Sequence, residues 1–179
     1  MKKVFIASVV IAVPLFMWLK GSSPSAPQEM LSAPTHSEQV AQIQAKLKQD
    51  PNQADLWFQL GHGYLNEQDF QSAQTCFDYA IRLTEEPTAS QYAAKATALY
   101  YSNKQRMNEE VQTLLDQALA IESRNLTALS LIASDHFISF RYQQAIDTWT
   151  LMLDSQDQEL DRISVIHSLN LAKQMANQG

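Results

Sequence analysis

Cysteine is nearly missing from this sequence: one of 179 residues, Cys76, carries a thiol. A single cysteine excludes an internal disulfide, a Cys-x-x-Cys redox or zinc site, and covalent c-type haem on this chain, since Cys-x-x-Cys-His cannot be written with it. Glycine, with four residues, and proline, with six, are scarce as well. That argues against collagen-like, linker-dominated and many-turn all-β chains, and leaves no room for a Gly-rich phosphate loop. Basic residues are outnumbered, 13 Lys and Arg against 19 Asp and Glu, for a net charge of −6 that disfavours a nucleic-acid partner. The four histidines, His36, His62, His136 and His167, form no H-x-x-x-H or H-E-x-x-H pair, so no metal site is expected. No cofactor and no catalytic group are expected either. What is abundant is hydrophobic residues, 45% of the chain, and glutamine, twenty residues, which solvates helix faces without many ion pairs.

Met1-Lys2-Lys3 precedes sixteen residues without a charge, Val4 to Leu19, and then Lys20. At about 1.5 Å per residue this covers roughly 24 Å, a little short of a ~30 Å hydrocarbon core, with Trp18 and the lysines placed to sit at the interface. Residues 1–20 are therefore expected to be a signal anchor or a signal peptide. The bulky Phe16, Met17, Trp18 and Leu19, where small residues would mark cleavage, favour the anchor. Lys2 and Lys3 would keep the N-terminus in the cytoplasm and the rest of the chain outside it. Residues 21–36 read as a Pro/Ser-rich tether containing His36.

From Ser37, an expected N-cap, the chain turns helical, with Val40, Ile43 and Leu47 on one face and Asp50-Pro51 as the stop. Trp57, Leu60, Gly61, Tyr64, Ala73, Phe77 and Ala80 then stand at offsets 0, 3, 4, 7, 16, 20 and 23. This resembles the tetratricopeptide pattern W-x-x-L-G-x-x-Y, then A-x-x-x-F-x-x-A, at each of those positions. Two antiparallel helices account for the spacing, with Gly61 and Ala73 small where they cross and Phe77 filling the space beyond. A degraded second copy runs through Tyr92, Leu99, Leu115 and Ala118, with three extra residues around Ser102–Met107 and Asn108 as the next N-cap. A third copy has Leu129, Ile132, Ala133, Tyr142, Ala145, Trp149 and Met152, and His136 takes the place of Tyr64. Asp161 is expected to cap a closing helix to Asn177 with Ile163, Ile166, Leu169 and Met175 on its apolar side. The fold class is all-α: a short right-handed tetratricopeptide-repeat superhelix of three helix pairs with flanking N- and C-terminal helices, preceded by one membrane segment. The repeat domain spans 37–178, with repeats near 54–87, 89–125 and 126–159 and the closing helix at 162–177.

Such repeats present a concave groove lined by the first helix of each pair. Positions one, five and eight after the Trp position are expected to face it: Phe58, His62 and Leu65; Ala93, Thr97 and Tyr100, with Tyr101 adjacent; Ser130, Ser134 and Phe137. The groove so read is aromatic and weakly polar, without the Lys and Asn that clamp a terminal carboxylate in chaperone-binding repeats, and it suits an amphipathic helix or apolar peptide. Cys76, beside Phe77 on a packing helix, reads as a small buried hydrophobe.

Three stretches carry a closer likeness: L-Y-Y at Leu99–Tyr101 with L-D-x-A-L-A from Leu115 to Ala120, T-A-L-S-L-I-A-S-D-H-F from Thr127 to Phe137, and Y-Q-Q-A-I-D-T-W from Tyr142 to Trp149. Together they resemble the tetratricopeptide subunit of the bacterial haem lyase that matures c-type cytochromes. That family includes the periplasmic half of the general biogenesis protein (CcmH/CycH type) and the stand-alone subunit dedicated to formate-dependent nitrite reductase (NrfG type). The short chain favours the second, although His136 stands where that run would carry a small residue. The resemblance implies a non-catalytic subunit at the inner membrane with its soluble domain in the periplasm. Such a subunit would hold the C-terminal segment of an apocytochrome c for membrane partners that handle haem and thiols. The alternative is a general envelope adaptor for assembly or secretion unrelated to haem.

Overall fold

The computed structural model describes residues 35–155 and 157–178, and among them all regular structure is α-helical. The expected membrane segment and nearly all of the tether lie outside the described residues; no described helix is long and apolar enough to cross a membrane. Eight helices follow in order: α1 (His36–Gln49), α2 (Ala54–Asn66), α3 (Phe70–Leu83), α4 (Ala89–Ser102), α5 (Glu109–Ile121), α6 (Leu126–Ile138), α7 (Tyr142–Leu153) and α8 (Arg162–Ala176). They pack as hairpins α2–α3, α4–α5 and α6–α7, with α1 against α2 and α8 against α7; α3 against α4 and α4 against α6 join one pair to the next.

Local chemistry starts most of these helices. Thr35 and Thr88 form capping boxes with Glu38 and Gln91, and Asp69, Asn108, Asn125 and Asp161 each accept a backbone N–H three residues on. The first cap is thus Thr35 and not Ser37, because only Thr35 has a glutamate at the third helical position to complete the box. His36, expected in the tether, is instead the first residue of α1, its Nε2 3.2 Å from the Gly63 carbonyl oxygen of α2.

The three turns inside the pairs share one device. Gln68, Lys104 and Phe140 take left-handed backbone angles (φ 61°, 58° and 60°) just after the helix caps. Each donates its N–H to the carbonyl three residues back, and the next residue donates to the carbonyl five back, at 2.8 to 3.1 Å. These are Schellman closures built without glycine. In the second pair Gln105 is also left-handed, and the extra residues lead on to Asn108.

Packing explains the small residues. A Cβ built on Gly61 would lie 2.5 Å from the Phe77 ring, and one on Gly63 2.8 Å from Val40. Phe77, wholly buried, fills the notch that Gly61 leaves, beside Ala73, Ala94 and Ala98. Helix α4, packed against α3, α5 and α6, is alanine-rich, and Ala93, Ala94, Ala96 and Ala98 are buried to within 1% exposure. Small side chains let three neighbours approach one helix closely. At the end of the array, α8 turns Val165, Leu169 and Ala172 inward. Ile163 and Ile166, expected on the packed side, are exposed at 84% and 44%: the inward stripe runs i, i+4, i+7 from Val165, one step around the helix.

Candidate peptide groove

The first helices of the pairs and the closing helix line three adjoining clefts. One, of about 730 Å³, is bounded by Leu65, Gln68, Phe70, Thr97, Tyr101, Lys104 and Gln105. The next, about 440 Å³, shares Thr97 and Tyr101 and continues through Leu126, Thr127, Ser130, Leu131 and Ser134 to Glu159, Leu160, Asp161, Ser164 and Val165. A smaller one, about 230 Å³, shares Ser134 and adds Phe137, Ile138, Trp149, Ser168 and Leu171. Shared walls make them one groove across the repeats. Tyr101 stands at its centre, 39% exposed and stacked on Phe70 with ring centroids 5.3 Å apart.

Six of the ten residues expected at the groove line these clefts: Leu65, Thr97, Tyr101, Ser130, Ser134 and Phe137. Phe58 and His62 do not. Phe58 lies against Phe77; His62 is an exposed residue whose ring, edge-on to both, is desolvated in part, which holds its pKa below the ordinary 6.5. Ala93 (0% exposed) and Tyr100 (2%) are core residues. Leu65 and Phe137, at the position of Tyr100 in the other copies, line clefts; Tyr100 turns inward because its hydroxyl has a partner there.

That partner is Asp135, buried in the last turn of α6. Tyr100 Oη donates to Asp135 Oδ1 at 3.1 Å, and the Arg141 guanidinium pairs with the other carboxylate oxygen. Burial, and after it the Asp135 carboxylate, push the Tyr100 hydroxyl far above the usual tyrosine range. Position six after the Trp position is Gly63 in the first copy and Ala98 in the second, both buried, so Asp135 is a carboxylate where a small residue packs elsewhere. Beside it, burial and the Arg141 charge hold His136 below its ordinary pKa, with Asp135 opposing, and its buried Nδ1 lacks a hydrogen-bond partner. The sequence signal for this cluster was an acid inside the apolar run T-A-L-S-L-I-A-S-D-H-F. Phe70, Lys104, Glu159 and the α8 wall had no such signal, since they come from second helices, turns and the closing helix. Lys104 puts a cation on a groove whose helix positions supply none.

Cys76 is buried, and burial with the nearby Asp69 charge pushes its thiol up to about 11. Among the described residues no group of three or more His, Cys, Asp or Glu is placed to hold a metal ion.

The family model of the cytochrome c-type biogenesis protein H TPR domain matches residues 30–163. The chain belongs to that family. The formate-dependent nitrite reductase complex subunit NrfG of Escherichia coli is 36% identical over 135 residues, 75% of this chain and 68% of the relative. The bifunctional subunit NrfFG of the same-named complex in Haemophilus influenzae is 37% identical over 74% of this chain, which spans only 34% of that longer protein. These findings agree with the resemblance read from Leu99–Tyr101 and Thr127–Phe137. Among solved structures, the Cut9–Hcn1 hetero-tetramer superposes with a TM-score of 0.68 over 80% of this chain and 27% of the other, at 17% identity, a likeness of fold alone.

Proposed function

We propose that this chain is the non-catalytic, peptide-holding subunit of a complex that matures c-type cytochromes, and that its ligand is the C-terminal segment of an apocytochrome c of the formate-dependent nitrite reductase. The observation that carries the reading is the continuous groove walled by Tyr101, Phe70, Thr97, Ser130 and Ser134 in a chain of this family. A repeat array exposes such a surface for an extended or helical segment, with aromatic walls for apolar side chains and hydroxyls for polar ones. A holding role also suits the chemistry present. The one thiol is buried and protonated at neutral pH, the opposite of what a thiolate nucleophile needs. Partners that carry haem and exchange thiols would supply those reactions. The run from Lys2 to Lys20 supports an inner-membrane anchor with the repeats in the periplasm.

A pull-down tests the reading. The chain should retain the C-terminal peptide of a multihaem apocytochrome over a scrambled peptide, and Tyr101→Ala should lose it while circular dichroism stays helical. Equal retention of both peptides refutes the cytochrome assignment and leaves a general envelope adaptor.

A further inference from the structure

The two larger clefts, which meet at Thr97 and Tyr101, are lined by opposite charges. Lys104 is the one charged residue lining the cleft toward the first pair. Glu159 and Asp161 are the charged residues lining the cleft toward α8. Asp161 is occupied, accepting from the Ser164 N–H at 3.1 Å and the Ser164 hydroxyl at 2.6 Å. The ion pairs formed among the described residues are His36–Glu67, Lys95–Asp78 and Arg141–Asp135, so neither Lys104 nor Glu159 is neutralised by a described neighbour. Both are exposed. The turn geometry puts Lys104 at the rim: it is the left-handed closing residue of α4, the place held by uncharged Gln68 and Phe140 in the other pairs.

We propose that the groove binds its peptide in one direction, a carboxylate of the peptide meeting Lys104 and a basic side chain meeting Glu159. The inference rests on the reading of the groove as a peptide site and adds a polarity to it. The occupant is then a segment acidic at one end and basic at the other, with apolar residues between to lie on Tyr101, Leu126 and Leu160. The chain's charge of −6 draws in the basic end, and Lys104 is the local exception that sets which way round the segment lies. The carboxylate is the peptide's C-terminus or an acidic side chain; the chemistry at Lys104 is the same.

The experiment uses the full chain and a fluorescent C-terminal peptide of a multihaem apocytochrome, with its C-terminal amide and a version whose Lys and Arg are Gln. Lys104→Glu and Glu159→Lys should each weaken binding about threefold to tenfold, the range of one exposed charge pair and its reversal, and high salt should shrink both effects. The glutamine peptide should be insensitive to Glu159→Lys. Amidation weakens binding if the terminus supplies the carboxylate and leaves it unchanged if a side chain does. A photo-crosslinker at the acidic end should mark the Gln68–Gln105 side, and one at the basic end the Leu160–Ser164 side. If the wild-type chain prefers the peptide no more than a scramble, the peptide-groove reading fails and this inference with it. If it binds but both reversals stay within about twofold, or the crosslinks are exchanged, the direction alone is refuted.

Discussion

Replacing Tyr100 by Phe and Asp135 by Ala, singly and together, measures the bond that joins the second helix pair to the third. Tyr100 and Asp135 are 2% and 3% exposed, and their 3.1 Å hydrogen bond spans α4 to α6. Tyr100→Phe removes one hydrogen bond to a charged acceptor, about 2 kcal/mol, and leaves Asp135 its arginine. Asp135→Ala strands a buried hydroxyl, about 1–3 kcal/mol, and breaks the ion pair. The freed Arg141 head has a side chain 45% exposed and can turn to water, so the total should be near 3 kcal/mol, the low end for a broken buried pair. The double variant has no stranded hydroxyl and should cost no more than Asp135→Ala alone. The cycle therefore predicts a coupling of about 2 kcal/mol. Arg141→Ala is the sharper control. It removes the more exposed partner yet leaves a buried carboxylate facing only Tyr100, so it should cost at least as much as Asp135→Ala, about 3–5 kcal/mol. Urea unfolding followed by circular dichroism reads all four variants. A coupling below about 0.5 kcal/mol would refute the reasoning and leave the two pairs joined by apolar surface alone.

Gly61→Ala gains about 1 kcal/mol of helix propensity but drives a methyl to 2.5 Å from the Phe77 ring, with overpacking near 3 kcal/mol. It should lower stability by about 2 kcal/mol, and a thermal melt showing stabilisation would mean that the ring yields freely. Phe140→Gly should do the reverse, adding about 1 kcal/mol, because a 78% exposed phenylalanine gives up little packing while its left-handed backbone is relieved. Unchanged or lower urea midpoints would show that the exposed ring packs against Tyr142, 6.2 Å away, to real effect. Both His62 and His136 have folded pKa values below the ordinary 6.5. Their stabilisation is complete above that value and is lost as pH falls from it through the lowered folded values, because the unfolded chain takes up the protons first. The urea midpoint should fall between about pH 7.5 and 5.5, before most carboxylates titrate, and His62→Phe with His136→Leu should flatten the slope. A slope that survives in that double variant assigns the effect to other groups.

Much of the groove could be read from spacing alone. Leu65, Thr97, Tyr101, Ser130, Ser134 and Phe137 follow from counting along the repeat, because a 3.6-residue period makes the exposed side of each first helix predictable. Counting fails where one side chain makes a long-range bond. Tyr100 has the same register as Leu65 and Phe137, and only the arrival of Asp135, 35 residues later, turns it inward. The α8 face failed for a related reason: Val165 and Ile163 are equally apolar, and the neighbour already packed, α7, selects which stripe is buried.

By itself the sequence determined the repeat, the helix starts at Asn108 and Asp161, the Gly61–Phe77 fit and the scarcity of reactive thiols, since these depend on caps, periods and residue types acting over a few positions. Only the tertiary structure decided which way Tyr100 points, that a buried carboxylate joins two repeats, and that a lysine on a turn and a glutamate before the last helix line adjoining clefts. Those features bring together residues from separate pairs, and their geometry is set by how helices stack, which no local pattern encodes.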